Sequence, residues 1–124
     1  MSKLLLMALA GTAGTLARYW LVGAVYGVMG RDFPWGTAAV NILGSFLFGL
    51  VWVLSEERLL LSGEARTVIL VGFMGAFTTF STFMFETGEL IRSAQWLLAG
   101  LNFLGQGLLG LSCLAVGMLL GRLI

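Results

Sequence analysis

From Val68 to Ile91 the chain is apolar for long enough to cross a bilayer, yet its middle reads Gly72-Phe73-Met74-Gly75-Ala76-Phe77-Thr78-Thr79-Phe80-Ser81-Thr82-Phe83. Two glycines and four hydroxyl residues at membrane depth weaken a helix. They also put polar groups where water is absent, which is tolerated only where a segment faces protein or a polar path. Lipid alone would not select this run; it points to transport.

Composition bounds the rest. The chain is 59% apolar and 10% charged, with a mean hydropathy of +0.99, whereas soluble domains carry about 25% charged residues. It reads as an integral membrane protein forming one domain, residues 1–124. Its net charge of +1 gives no reason to expect a nucleic-acid partner. The single Cys113 excludes an intramolecular disulfide, and without histidine there is no conventional soft-metal site.

Hydropathy predicts four membrane helices, each near or above the roughly 20 residues a bilayer requires. They run from about Lys3 to Val28, Trp35 to Leu54, Val68 to Ile91 and Trp96 to Leu123. The first is too long for a signal peptide and lacks a small-residue cleavage site, so it reads as a retained helix. Pro34, the only proline, precedes the second, where its missing N–H costs nothing. Ser55 to Arg66, carrying Glu56, Glu57, Arg58, Glu64 and Arg66, reads as a solvated linker. Trp20, Tyr26, Trp35, Trp52 and Trp96 lie toward helix ends, as an interfacial aromatic belt does.

Four spans put both termini on one side. Lys3, Arg58, Arg66 and Arg122 then face Arg31 and Arg92 across the membrane, with Arg18 inside it. So slight a bias lets a chain insert both ways up, which predicts an antiparallel, dual-topology homodimer. A lone four-helix bundle leaves little room for a shielded polar pathway, which also favours a dimer. Gly44 and Gly49 in the second span, and Gly110, Gly117 and Gly121 in the fourth, read as surfaces for close helix approach.

Thr37, Asn41 and Ser45 share one helix face, a polar stripe that reads equally well as interhelical glue or as pathway. Phe77, Phe80 and Phe83 recur three residues apart beside Thr78, Ser81 and Thr82. Such stripes are usually core. A phenyl ring, however, has a positive edge that solvates an anion weakly, and conduction needs binding that is favourable yet readily undone. A helix interrupted between Gly75 and Thr79 would free carbonyls for a hard cation. Arg18 and Glu86 are charges at membrane depth, read either as functional groups or as structural ties.

The motifs Gly11-Thr12-Ala13-Gly14-Thr15-Leu16-Ala17-Arg18-Tyr19, Gly36-Thr37-Ala38-Ala39-Val40-Asn41-Ile42-Leu43-Gly44-Ser45-Phe46 and Gly75-Ala76-Phe77-Thr78-Thr79-Phe80-Ser81-Thr82-Phe83, with Glu86 following, carry a resemblance. Across all four helices the chain resembles the small fluoride channels of the Fluc, or CrcB, family. The resemblance implies passive fluoride export, and no enzymatic activity, by an antiparallel homodimer in the inner (plasma) membrane. It implies two pores and one central sodium ion. By motif position it makes Asn41 the pore amide, Phe80 and Phe83 the aromatic box, and Ser81, Thr82 and Glu86 polar groups along the route with Thr37. The carbonyls of Gly75 and Thr78 would hold sodium. Where the family carries a Tyr and Ser track in helix four, this chain has Asn102, Gln106 and Gly110, so Asn102 and Gln106 are carried as pore residues by position. The competing class is a four-helix proton-coupled multidrug exporter. That class needs a carboxylate in the first helix, where this chain offers only Arg18.

Overall fold

In the computed structural model, which describes residues 2–124, every regular element is helical. Helix α1 spans Lys3–Met29 and α2 spans Trp35–Glu56. Ser2 caps α1 by accepting from the Leu5 N–H at 3.3 Å. Gly30 ends it at φ 81°, a left-handed value that suits glycine. After α2 comes a short α3, Gly63–Thr67, then a π-helical segment, Val68–Met74, and a single turn, α4, Gly75–Phe77. Thr78 and Thr79 are extended, and helical winding resumes as α5, Phe80–Arg92. The last helix, α6, is Trp96–Leu123. Four helical stretches are long and apolar enough to cross a membrane: Lys3–Met29, Trp35–Glu56, Gly63–Arg92 and Trp96–Leu123.

The region read as a solvated linker is shorter than Ser55–Arg66. Ser55 stays inside α2, its hydroxyl bonded to the Val51 carbonyl at 2.9 Å. Ser62 starts α3 by accepting from the Ala65 N–H at 3.1 Å. Charge misled the reading, because Glu64 in the first turn and Arg66 in the last suit the ends of the helix dipole. The charges of this end also pair: Arg66 with Glu56, and Arg122 with both Glu57 oxygens at 2.8 Å. The hydrogen bonds from Arg122 hold the exposed Glu57 carboxyl below its ordinary range.

Polarity is distributed inside out. Leu4, Leu97, Leu123 and Val28 are more than three-quarters exposed or close to it, at 78%, 75%, 76% and 85%, whereas Asn102, Thr37 and Gln106 are buried at 0%, 2% and 8%. An apolar exterior around a hydrogen-bonded interior suits hydrocarbon as the solvent. Val40, Leu70, Met74 and Phe77 form the buried apolar cluster between α2 and the third span.

Glycine sets how near the helices lie. A Cβ on Gly49 would meet the Leu114 carbonyl, and one on Gly117 the Phe46 carbonyl, so α2 and α6 touch backbone to backbone. On the other side Gly14 abuts the Phe73 carbonyl, which seats α1 on the π-helical segment. Gly44 lies under the Thr78 methyl and so positions the extended pair.

Gly117→Leu must therefore displace backbone, and it should lose about 2 kcal/mol or more of stability in a detergent unfolding titration. Gly100→Ala, with nothing within 4 Å of its new methyl, should be neutral or gain up to about 1 kcal/mol. Equal stability of Gly117→Leu and the parent would remove the contact from the account. Glu57, with its carboxyl depressed in the folded state, contributes stability above its unfolded value that fades as pH falls through its folded one. Glu57→Gln should flatten only this acid limb, and slightly, because the pair is exposed.

Candidate functional site

Three residues of α2 face the third span, and the structure gives each a different task. Thr37 donates to Glu86 Oε1 at 2.8 Å. Ser45 turns back to the Asn41 carbonyl at 2.8 Å and stays within its own helix. Asn41 reaches across: its Oδ1 accepts from the Thr79 N–H at 2.8 Å and its Nδ2 donates to the Thr79 carbonyl at 3.1 Å. One carboxamide thus satisfies both backbone groups of an extended residue.

Around that contact the extended pair is fixed at both ends. The Thr78 hydroxyl donates to the Met74 carbonyl at 2.9 Å. Thr79 caps α5, its Oγ1 accepting from the Thr82 N–H at 3.3 Å and donating to Thr82 Oγ1 at 2.9 Å. Because the Thr79 N–H goes to Asn41, the Gly75 carbonyl loses the partner a continuous α-helix would supply. The Thr78 carbonyl accepts from Arg18 Nη1 at 3.5 Å.

Two clefts meet at Thr79. One, of about 580 Å³, is lined by Arg18, Tyr26, Arg31, Thr37, Thr79, Thr82 and Glu86. The other, of about 410 Å³, is lined by Asn41, Ser45, Thr78, Thr79, Phe80, Phe83 and Gln106 among others. The first is electrostatically mixed, with two guanidinium groups facing one carboxylate. Glu86 Oε2 is buried there with no hydrogen-bond partner among the described residues. The second is neutral, its polar groups being amides and hydroxyls.

The phenyl rings divide. Phe77 is buried at 4% and stacks on Phe73 with centroids 5.6 Å apart, so it is core. Phe80 and Phe83, beyond the extended pair, meet edge to face at 6.1 Å and 74°. Phe80 is 73% exposed, and Phe83 stacks on Phe103 of α6 at 6.0 Å.

The candidates from sequence therefore fall into groups. Thr37, Thr82 and Glu86 share the first cleft; Asn41, Phe80, Phe83, Gln106 and Thr78 share the second. Ser81 lies on the exposed surface of α5 and lines neither cleft. Asn102 is wholly buried behind Gln106, which donates to its Oδ1 at 2.8 Å. Gly75 is on the surface of the chain.

Sequence reasoning passed over two residues. Thr79 was part of the motif but not among the candidates, although a residue between two helical turns must place its backbone groups somewhere. Thr87, buried at 7%, accepts from Asn102 Nδ2 at 2.8 Å; its only signal was a hydroxyl four residues after Phe83. Among the described residues no group of three or more His, Cys, Asp or Glu could hold a metal ion.

A family model described as "CrcB-like protein, Camphor Resistance (CrcB)" matches residues 5–118. A protein of Solidesulfovibrio magneticus named fluoride-specific ion channel FluC is 64% identical over 126 residues, covering 100% of this chain and 99% of its own length. Proteins of the same name from Nitrosococcus oceani and Desulforapulum autotrophicum are 54% and 53% identical, each with 98% of both chains covered. On a match that runs nearly from end to end, the chain belongs to the CrcB family.

Proposed function

We propose that this chain is a fluoride-selective channel that lets fluoride leave the cell passively through the inner (plasma) membrane. The observation that carries the reading is the neutral cleft. It places the rings of Phe80 and Phe83 beside side-chain amides and hydroxyls, inside a bundle whose exterior is apolar. The fluoride-channel names of relatives up to 64% identical point the same way.

The chemistry follows from what an anion loses on leaving water. Fluoride is small and strongly hydrated, so a dry path must replace its shell without holding it. Ring edges carry partial positive charge and no proton to lose, and hydroxyl and amide donors add directed hydrogen bonds. A full positive charge at the narrowest point would trap the ion, whereas neutral donors release it. Arg18 and Arg31 line the other cleft, where cationic groups raise local anion concentration at an entrance. Thr82 supplies a hydroxyl there, while Thr37 and Glu86 hold each other.

The working unit is an antiparallel homodimer with two pores. In α1 only Gly14 is buried, leaving a long helix with Thr15 and Tyr19 exposed, and such polar groups at membrane depth call for protein neighbours. Phe80 lines the neutral cleft at 73% exposure, and a second copy would close that cleft against lipid. Thr78 and Thr79 support an interrupted third helix near Gly75–Thr79. Gly75 fits a sodium site by chemistry, since its carbonyl is released from helix bonding, and the Thr78 carbonyl would join it where Arg18 Nη1, its donor at 3.5 Å, gives way to the ion. When bound, sodium would tie the two copies together. An exporter finds less support: α1 carries no acid, and Glu86, the carboxylate that lines the first of the two clefts, is bonded to Thr37.

Fluoride release from liposomes, followed with an electrode and without a proton gradient, tests the reading. Dependence on a proton gradient would favour the exporter. Phe80→Ile and Phe83→Ile should abolish efflux while the dimer elutes unchanged; undiminished efflux would make the rings packing alone. Replacing sodium by a bulky organic cation should weaken the dimer and its flux, and sodium should restore both where magnesium or calcium does not. Full activity and assembly without sodium would remove the cation from the proposal.

A further inference from the structure

The α2–α6 pair has two unlike sides. One faces the neutral cleft; the other, with the end of α1, walls an apolar groove of about 530 Å³. Val25 and Met29 of α1, Trp35 and Ile42 of α2, and Leu98 and Leu109 of α6 mark its extent. No charged or hydroxyl side chain lines it, and its one amide, Gln106, is engaged inside the bundle, accepting from Asn41 at 2.9 Å and donating to Asn102 at 2.8 Å. Nothing in the groove would repay a polar solute for leaving water.

Where the groove starts and stops identifies its occupant. Trp35 opens α2 and Leu98 lies in the first turn of α6, so one end sits where both helices begin, beside the loops of residues 30–34 and 93–95. Phe33 and Trp35, with ring centroids 4.7 Å apart, line that end, and aromatic side chains at helix ends lie at the level of lipid headgroups. From Leu98 to Leu109 the groove follows α6 for about 17 Å. One leaflet of a hydrocarbon core about 30 Å thick is about 15 Å deep. The groove thus runs from the interface to the bilayer midplane and stops. A membrane helix of a second copy would cross both leaflets and needs a continuous track, whereas the chain of a lipid occupies one leaflet. The floor is also open: Gly105 lies in the wall, and a methyl added there meets nothing within 4 Å. Hydrocarbon in that space gains the dispersion contacts that an empty slot forfeits.

We infer that the groove seats one acyl chain of a membrane phospholipid, held between α1, α2 and α6 with its headgroup beside Phe33 and Trp35. The inference needs the protein to lie in a bilayer and does not depend on which ion it conducts. Gln106 lines both the groove and the neutral cleft, so the seated lipid and the polar interior share that side chain as a wall.

Two measurements test it. Protein assembled in phospholipid nanodiscs and released for native mass spectrometry should keep a phospholipid on each chain, at a mass distinct from detergent or free fatty acid. Gly105→Leu, whose side chain enters the groove, should lose that lipid. Gly100→Leu, on the same helix and equally free of neighbours but outside the groove, should keep it. In bilayers, with Trp20, Trp52 and Trp96 replaced by Phe so that Trp35 alone reports, brominated phospholipid should quench the fluorescence, and Gly105→Leu should reduce that quenching. Trp52 left alone instead, at 41% exposure against 40% for Trp35, should be quenched to the same extent with and without Gly105→Leu. A wild type that keeps no phospholipid, a Gly105→Leu protein that keeps as much as Gly100→Leu, or Trp35 quenching unmoved by Gly105→Leu overturns the inference. So does a Gly105→Leu protein that folds but no longer pairs, since the groove would then be an interface between copies. Should Gly105→Leu not fold, the lipid count of the wild type decides.

Discussion

Backbone N–H and carbonyl groups that leave a helix inside a bilayer find no water, and each one left without a partner costs several kcal/mol. The extended Thr78–Thr79 pair exists under that constraint, and the Asn41 side chain answers it with a donor and an acceptor from a neighbouring helix. Much else follows from the same contact. It releases the Gly75 carbonyl, and it puts Thr79 between the two clefts. It also turns α5 out on a new start, so that Phe77 belongs to the core while Phe80 and Phe83 belong to the neutral cleft.

Close approach is what brings Asn41 within reach. A methyl on Gly44 would collide with the Thr78 side chain, and the glycine contacts of α2 with α6 draw Gln106 near enough to receive from Asn41. Without a hydrophobic force between helices in lipid, such backbone contact and the amide hydrogen bond are both sources of cohesion. Helix packing and the lining of the neutral cleft thus draw on the same elements.

Much of this was legible in the sequence. Hydropathy marked the four spans to within a few residues except at the start of the third, where the charges of Glu64 and Arg66 looked like a loop and instead fill the ends of α3. Glycine spacing announced the α2–α6 surface. The Thr37, Asn41, Ser45 stripe was visible as a face, but spacing left glue and pathway equal; the structure gives every polar atom of the Asn41 side chain a protein partner. Thr87 escaped notice because its partner lies on another helix, and pairing across helices leaves no local pattern. The winding of Val68–Met74 was equally hidden, since seven apolar residues show no period by which a wider turn differs from an ordinary one.

That wider turn has its own consequence. A π-helical segment advances through a smaller angle per residue than an α-helix, so the length of Val68–Met74 sets the azimuth at which the chain reaches Gly75. Ordinary α winding over the same seven residues would bring Thr79 round at a different azimuth and off Asn41, although every span would remain apolar and long enough. The winding of this stretch, and not only its chemical character, thus decides where Thr79 meets Asn41.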